Sequence, residues 1–362
     1  MKPRNQRNHP ENAGKTRRPF RRLLALALAA VLLGFAGTLI LVETRPAFGA
    51  EVAGRLRDVF GPRFVAGLET IVFRAQDALE QWRYRSGVEQ AEAPWEAAAT
   101  TTPAPATPTP SPQAETATPG AVEPTPAQSA APSATPTTTP DLWEPPDLAP
   151  FGDLAGEGVW GPYLYDRAGE VVAMRTFLQP DPDRPYAIVA VVAIDLDRAD
   201  LHFVLGFNDP ALPDGPKGDG RIPEADRQAS VLLAAFNGGF RAINGFFGAM
   251  AGGVVALPPI DGLATVGIYR DGSVAIGAWG EEITDDPELA AWRQNCPLVI
   301  RAGAITPQVY NDSIVDWGGT ISNQIVTRRS GLGLDAAGRT LYYFAGPSLS
   351  MPALADAMLA AG

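Results

Sequence analysis

Apolar and polar positions are distributed unevenly along the chain, and the pattern divides it into segments. Leu23 to Val42, LLALALAAVLLGFAGTLILV, is twenty residues without a charge. As a helix it would be ~30 Å long, the thickness of a bilayer core. Residues 51–85 carry Val65, Leu68, Val72, Leu79 and Trp82 at helical spacing, with arginines on the other side and Pro62 placed to start the helix. Further on the period changes to two. Tyr186 to Leu196, YAIVAVVAIDL, followed by ADLHFVLGF, predicts a pair of strands, with His202 on a strand face. Gly262 to Gly280 predicts a hairpin turning at Asp271-Gly272, and Ser330 to Gly346 a second one turning at Ala336 to Gly338. Ser350 to Gly362 returns to helical spacing, with Ser350 as N-cap, Pro352 in the first turn, and Leu354, Met358 and Leu359 as the packed face. Hairpins with few helices predict an α+β fold with a mainly antiparallel sheet, preceded by a single transmembrane helix and a disordered linker.

Charge and composition then assign these segments. Residues 1–22 hold eight Lys or Arg and one acid, Glu11, a basic flank that belongs in the cytoplasm and sends the rest of the chain outside. A cleaved signal peptide ending near Ala47-Phe48-Gly49 is the competing reading, but the apolar run is long for one, and both readings export the remainder. Residues 43–91 form a juxtamembrane helical segment, which lies on lipid headgroups or serves as a solvated spacer or self-associating stalk. Residues 92–150 are rich in Pro, Thr, Ala and Ser, and no Lys or Arg occurs between Arg85 and Arg167. Such a stretch is expected to be an extended linker, because it cannot bury enough apolar area to offset its ordering entropy. Residues 151–362 are left as the folded domain.

The same counts exclude several chemistries. A formal net charge of −11 argues against a nucleic-acid partner. One cysteine, Cys296, and two histidines, His9 and His202, argue against a disulfide, a zinc site and a Ser-His-Asp triad. The acids of DGPKGDGRIPE, Asp214 to Glu224, lack EF-hand spacing and are read as a surface loop. No metal or cofactor is expected.

One stretch is more pointed. Ala234 to Val255, AAFNGGFRAINGFFGAMAGGVV, holds six glycines, four phenylalanines, Asn237 and Asn244, with Arg241 its only ionisable side chain. LLAA before Phe236 reads as the end of a buried strand, and Asn237-Gly238-Gly239 as a turn whose N–H groups could hold an anion. Phe240, Phe246 and Phe247 could form a wall for a sugar face. A plain structural turn beside aromatic packing fits the residues equally well.

From about residue 185 to 362 the chain resembles the phosphodiester glycosidase domain family, which includes the lysosomal uncovering enzyme. The resemblance rests on four motifs in order. These are Asn237-Gly238-Gly239-Phe240; Gln294-Asn295-Cys296-Pro297-Leu298, with cysteine where the family has glycine; Arg329-Ser330-Gly331-Leu332-Gly333-Leu334-Asp335; and Ser348 to Leu354. It implies cleavage of a sugar-1-phosphodiester at the glycosidic C–O bond. Asn237, Gly238, Gly239, Phe240 and Asn244 would bind substrate, and Arg329 would grip phosphate. In the family an Asp-bearing strand follows the helix, and the sequence here stops at Gly362, so a fragment lacking that carboxylate is expected. Asp261, Asp316 and Asp335 are the substitutes within the chain, with Asp316 the catalytic candidate and Asp335 assigned to a turn. A non-catalytic envelope module that binds a phosphate-bearing polysaccharide is the alternative.

Overall fold

The computed structural model describes residues 59–95, 143–209, 212, 214–228, 231–311, 316–317 and 325–362. The basic segment, the apolar run Leu23 to Val42 and most of the Pro/Thr-rich segment lie outside the described residues. Among the described residues no helix is long and apolar enough to cross a membrane. The chain divides into two compact units, Met1–Ala75 and Gln76–Gly362, and the division falls within helix α1, Pro62–Arg85.

The second unit is an α+β fold built on two antiparallel five-stranded sheets. The first contains β1 (Gly161–Tyr165), β2 (Val171–Leu178), β3 (Val189–Asp195), β11 (Thr327–Leu334) and β12 (Thr340–Leu349), in the order β1-β2-β3-β12-β11. The second contains β4 (Ala249–Ala251), β5 (Val254–Leu257), β6 (Ala264–Tyr269), β7 (Val274–Ala278) and β8 (Leu289–Gln294), in the order β5-β4-β8-β6-β7. A two-stranded ribbon, β9 (Ile300–Arg301) with β10 (Ala304–Ile305), follows β8.

Both expected hairpins form. In β6–β7, Asp271 accepts from Ser273 N–H at 2.9 Å and Gly272 takes φ 88°. In β11–β12, Asp335 accepts from Arg339 N–H at 2.7 Å. Its carboxylate therefore holds the turn, as expected for a structural residue. Helix α2, Met351–Ala360, starts where the N-cap signal places it, with Ser350 Oγ accepting from Ala353 N–H at 3.2 Å. Leu354 and Met358 pack with Val189, Val191, Tyr342 and Phe344 beneath the first sheet. Truncating a core leucine such as Leu354 costs about 2–5 kcal/mol.

Four expectations need correction. ADLHFVLGF does not pair with β3, whose neighbours are β2 and β12; it runs outside any strand, and His202 is exposed. Alternation supplies apolar faces but not a ladder partner, and both edges of β3 are already taken. Leu232 to Phe236 is likewise not a buried strand, and Leu232 and Phe236 are exposed, the latter leaning on Tyr343 with ring centroids 5.0 Å apart. Leu359 of α2 is exposed, while Ala355 and Ala357 are buried in its place, small enough to sit against the sheet. Lastly, the linker is shorter than its composition suggests. Leu148 is in the core, Trp143 Nε1 donates to Thr340 Oγ1 at 3.4 Å, and Trp95 stacks beside Tyr163 with Arg175 over its ring at 4.2 Å. Large apolar and aromatic side chains at the two ends of that segment gain enough by burial to be ordered.

Candidate functional site

Two buried arginines organise the site, one from each sheet. Arg293 comes from β8, which ends LAAWRQ and is buried along most of its length. Its Nη1 donates to the carbonyls of Phe247 at 2.6 Å and Gly248 at 3.1 Å, and its Nη2 to that of Phe240 at 2.7 Å. One planar guanidinium thus ties the Asn-Gly-Gly-Phe turn to the start of β4. Burial pushes it down to about 10, partly offset by the Asp209 charge, so it remains a cation at neutral pH. Its neighbour Gln294 has no exposed surface and is saturated. Its amide accepts from Ile260 N–H at 2.7 Å and donates to Ile260 O and Thr265 Oγ1, both at 3.0 Å.

The turn itself is closed by Asn237, whose Oδ1 accepts from Gly239 N–H at 3.2 Å. Gly239 sits at φ 132°, and a Cβ there would lie 3.3 Å from Arg293 Nη2 and 3.5 Å from the Asn295 side chain. The positive φ favours glycine, and a Cβ would also crowd the Arg293 fork. Asn237, Gly238 and Asn244 are exposed. Arg241 is neutralised by Asp209 at 2.9 Å. Beside the turn, Phe246 holds a left-handed backbone, φ 52°, while its ring is 53% exposed. A bulky residue in that region is strained by roughly 1 kcal/mol or more.

Arg329 is on β11, opposite Gly346 of β12, just past an irregularity in the pairing. It is 8% exposed, whereas Arg328 beside it is exposed. Its Nε donates to Leu349 O at 2.9 Å and its Nη2 to Ile325 O at 3.0 Å. Among the described residues no carboxylate lies within ion-pair distance. Burial pushes the guanidinium down to about 10, countered by the neighbouring Cys296 thiol. Cys296 is pushed up to about 12 by burial, lowered by Arg329 and raised by Asp316. The Cys296 thiol thus lies within electrostatic reach of Arg329 and of Asp316. Trp317, 4% exposed and in the core with its Nε1 donating to Gln308 O at 3.3 Å, anchors Asp316, which is half-buried rather than on a free surface loop.

Gly331, two residues along β11 from Arg329, leaves no room for a ligand there. A Cβ at Gly331 would lie 2.8 Å from Met358 Sδ, so helix α2 fills that space. Asp261 is exposed and next to Gly280. A cleft of about 220 Å³ opens beyond Pro297 and Leu298, but its cation, Arg301, is bound to Glu281 and Glu282.

Of the residues singled out in the sequence, Asn237, Gly239 and Phe240 gather at Arg293, while Arg329 and Asp316 each lie within electrostatic reach of Cys296. Arg293 was not anticipated. The available signal was a cation inside an otherwise buried strand, directly after Trp292. No protein-family model and no curated protein matches the chain.

Proposed function

We propose that the protein is a membrane-anchored, extracytoplasmic hydrolase that cleaves a sugar-1-phosphodiester of an envelope glycan or glycoconjugate. The basic flank and uncharged run at the N-terminus support the anchoring and the topology. The observation that carries the chemistry is Arg329, a buried cation with two carbonyl bonds and no carboxylate partner among the described residues. A guanidinium has five N–H donors in a planar fork that matches phosphate, and burial strengthens its grip on an anion.

In this reading the phosphodiester sits against Arg329, and the sugar extends towards the Asn237–Phe240 turn. The C1–O bond breaks and its electron pair stays on the phosphate oxygen. A phosphate leaving group needs little proton donation, so one carboxylate suffices to take the proton from the water that attacks C1. Asp316 is the candidate, with Arg329 stabilising the charge that develops on phosphate.

The test is calorimetric titration of the full chain with a GlcNAc-1-phosphodiester, alongside assay of free sugar. Arg329→Lys is expected to weaken binding more than tenfold, and Asp316→Asn to abolish sugar release while preserving binding. Binding without release by the unaltered chain would leave a phosphate-sugar binding module. Absence of binding would sink both readings.

A further inference from the structure

Helix α1 turns its polar face towards the domain. Within the second unit, Asp77 accepts both 2.8 Å bonds of the Arg184 fork and a 3.0 Å bond from Tyr186 Oη. Glu80 accepts from Ser348 Oγ at 2.9 Å, and Tyr84 packs on Tyr186 with ring centroids 5.8 Å apart. At about 100° per residue, Asp77, Glu80 and Tyr84 share one face. Leu79 and Trp82 fall nearly opposite and are 45% and 60% exposed. In the first unit's part of the helix, Phe64, Leu68 and Ile71 are 55%, 40% and 60% exposed. A globular helix normally buries its apolar stripe and exposes its acids. Here the arrangement is inverted, and a stripe of large apolar side chains is left uncovered.

We infer that this face of α1 lies in the headgroup layer of an anionic lipid surface. Arg74 and Arg85 flank the stripe on one side and Arg83 on the other, and all three are exposed. An aromatic and aliphatic stripe between cationic shoulders is the pattern of an interfacial helix. Pairing with a second copy would bring arginine shoulders together, a like-charge arrangement that opposes it. The chain also supplies a reason for proximity, which rests on the anchoring reading above. Residues 43–61 join the apolar run to α1 and span at most ~65 Å when fully extended. The helix would then hold the domain close to the membrane, with its Asp77 and Glu80 face as the bracket.

The full chain, reconstituted in vesicles and carrying a nitroxide at Leu79→Cys, tests this. The label is placed in a Cys296→Ser background, so that Leu79→Cys carries the one thiol of the chain. In phosphatidylcholine–phosphatidylglycerol vesicles the label is expected to be accessible to oxygen and shielded from a water-soluble nickel chelate. Arg74→Gln, Arg83→Gln and Arg85→Gln are each expected to lower occupancy of the lipid-bound state by about fivefold. A chain that floats with the vesicles while its label stays in water overturns this inference and leaves the anchor intact. Failure to float overturns both. Ready disulfide formation between Leu79→Cys copies would assign the face to self-association instead.

Discussion

Arg293 and Arg329 are buried to the same extent, 8% exposed each, and both are pushed down to about 10 by burial. Their surroundings differ. Arg293 spends three bonds on carbonyls of Phe240, Phe247 and Gly248, all in or next to the glycine-rich turn. Arg329 makes two, to Ile325 and Leu349, and lies near the Cys296 thiol. With three of its five donors on carbonyls in or next to one turn, Arg293 acts as a clamp. Arg329, with two donors used and no carboxylate within ion-pair distance among the described residues, is suited to a ligand that brings the charge. Burial alone therefore does not separate structure from function, whereas what the donors hold does.

The largest test of that contrast is Arg293→Met. It leaves the Phe240 and Phe247 carbonyls without a donor, while Gly248 O keeps the Gln294 N–H at 2.9 Å; at ~1–3 kcal/mol each, reduced by relaxation, the loss is expected to be about 3 kcal/mol in chemical denaturation. A loss under about 1 kcal/mol would mean that the turn stands without its clamp.

Arg184 provides the control, since it has its carboxylate. Burial alone would raise the Asp77 carboxyl, but the Arg184 fork holds it below the usual range. A carboxyl lowered in the folded state stabilises above its unfolded value, and that contribution fades as pH falls through the folded one. Asp77→Asn should therefore cost about 2 kcal/mol at neutral pH and much less in strong acid. Burial pushes the Glu80 carboxyl up, the opposite sign, so Glu80→Gln should not reproduce this profile. An equal Asp77→Asn cost at both pH values would break the comparison.

Arg329→Lys is expected to lose about 1.4 kcal/mol of phosphodiester binding, a factor of ten, with a smaller effect on melting than Arg293→Lys. Arg328→Lys should change neither. If Arg329→Lys instead unfolds the domain as Arg293→Met does, both arginines are clamps. The smallest effect is expected at Phe246, whose left-handed backbone adjoins the clamped turn. Phe246→Gly should raise stability by about 0.5–1 kcal/mol, because strain is relieved and little buried area is lost. A lower melting temperature would show that the exposed ring is held by packing.

The elements specified by short-range chemistry were legible without coordinates. Asp271-Gly272 and the Asp335 to Gly338 turn bend the chain through their own side chains and glycine backbone, and Ser350 caps α2 from within its first turn. The choice of Arg329 rested on the family resemblance at Arg329-Ser330-Gly331-Leu332-Gly333, and the fold buries Arg329 while leaving Arg328 exposed. Other features depend on partners distant in sequence. Whether ADLHFVLGF becomes a strand depends on free ladder positions, and β2 and β12 occupy both sides of β3. Whether Gly331 leaves a cavity depends on Met358, 27 residues later, moving into it. Arg293 reads as one cation in a strand until three carbonyls from another part of the chain converge on it. Local propensity and turn chemistry act over a few residues and can be read along the chain. Pairing partners, cavity filling and the satisfaction of buried donors are decided only by what packs alongside.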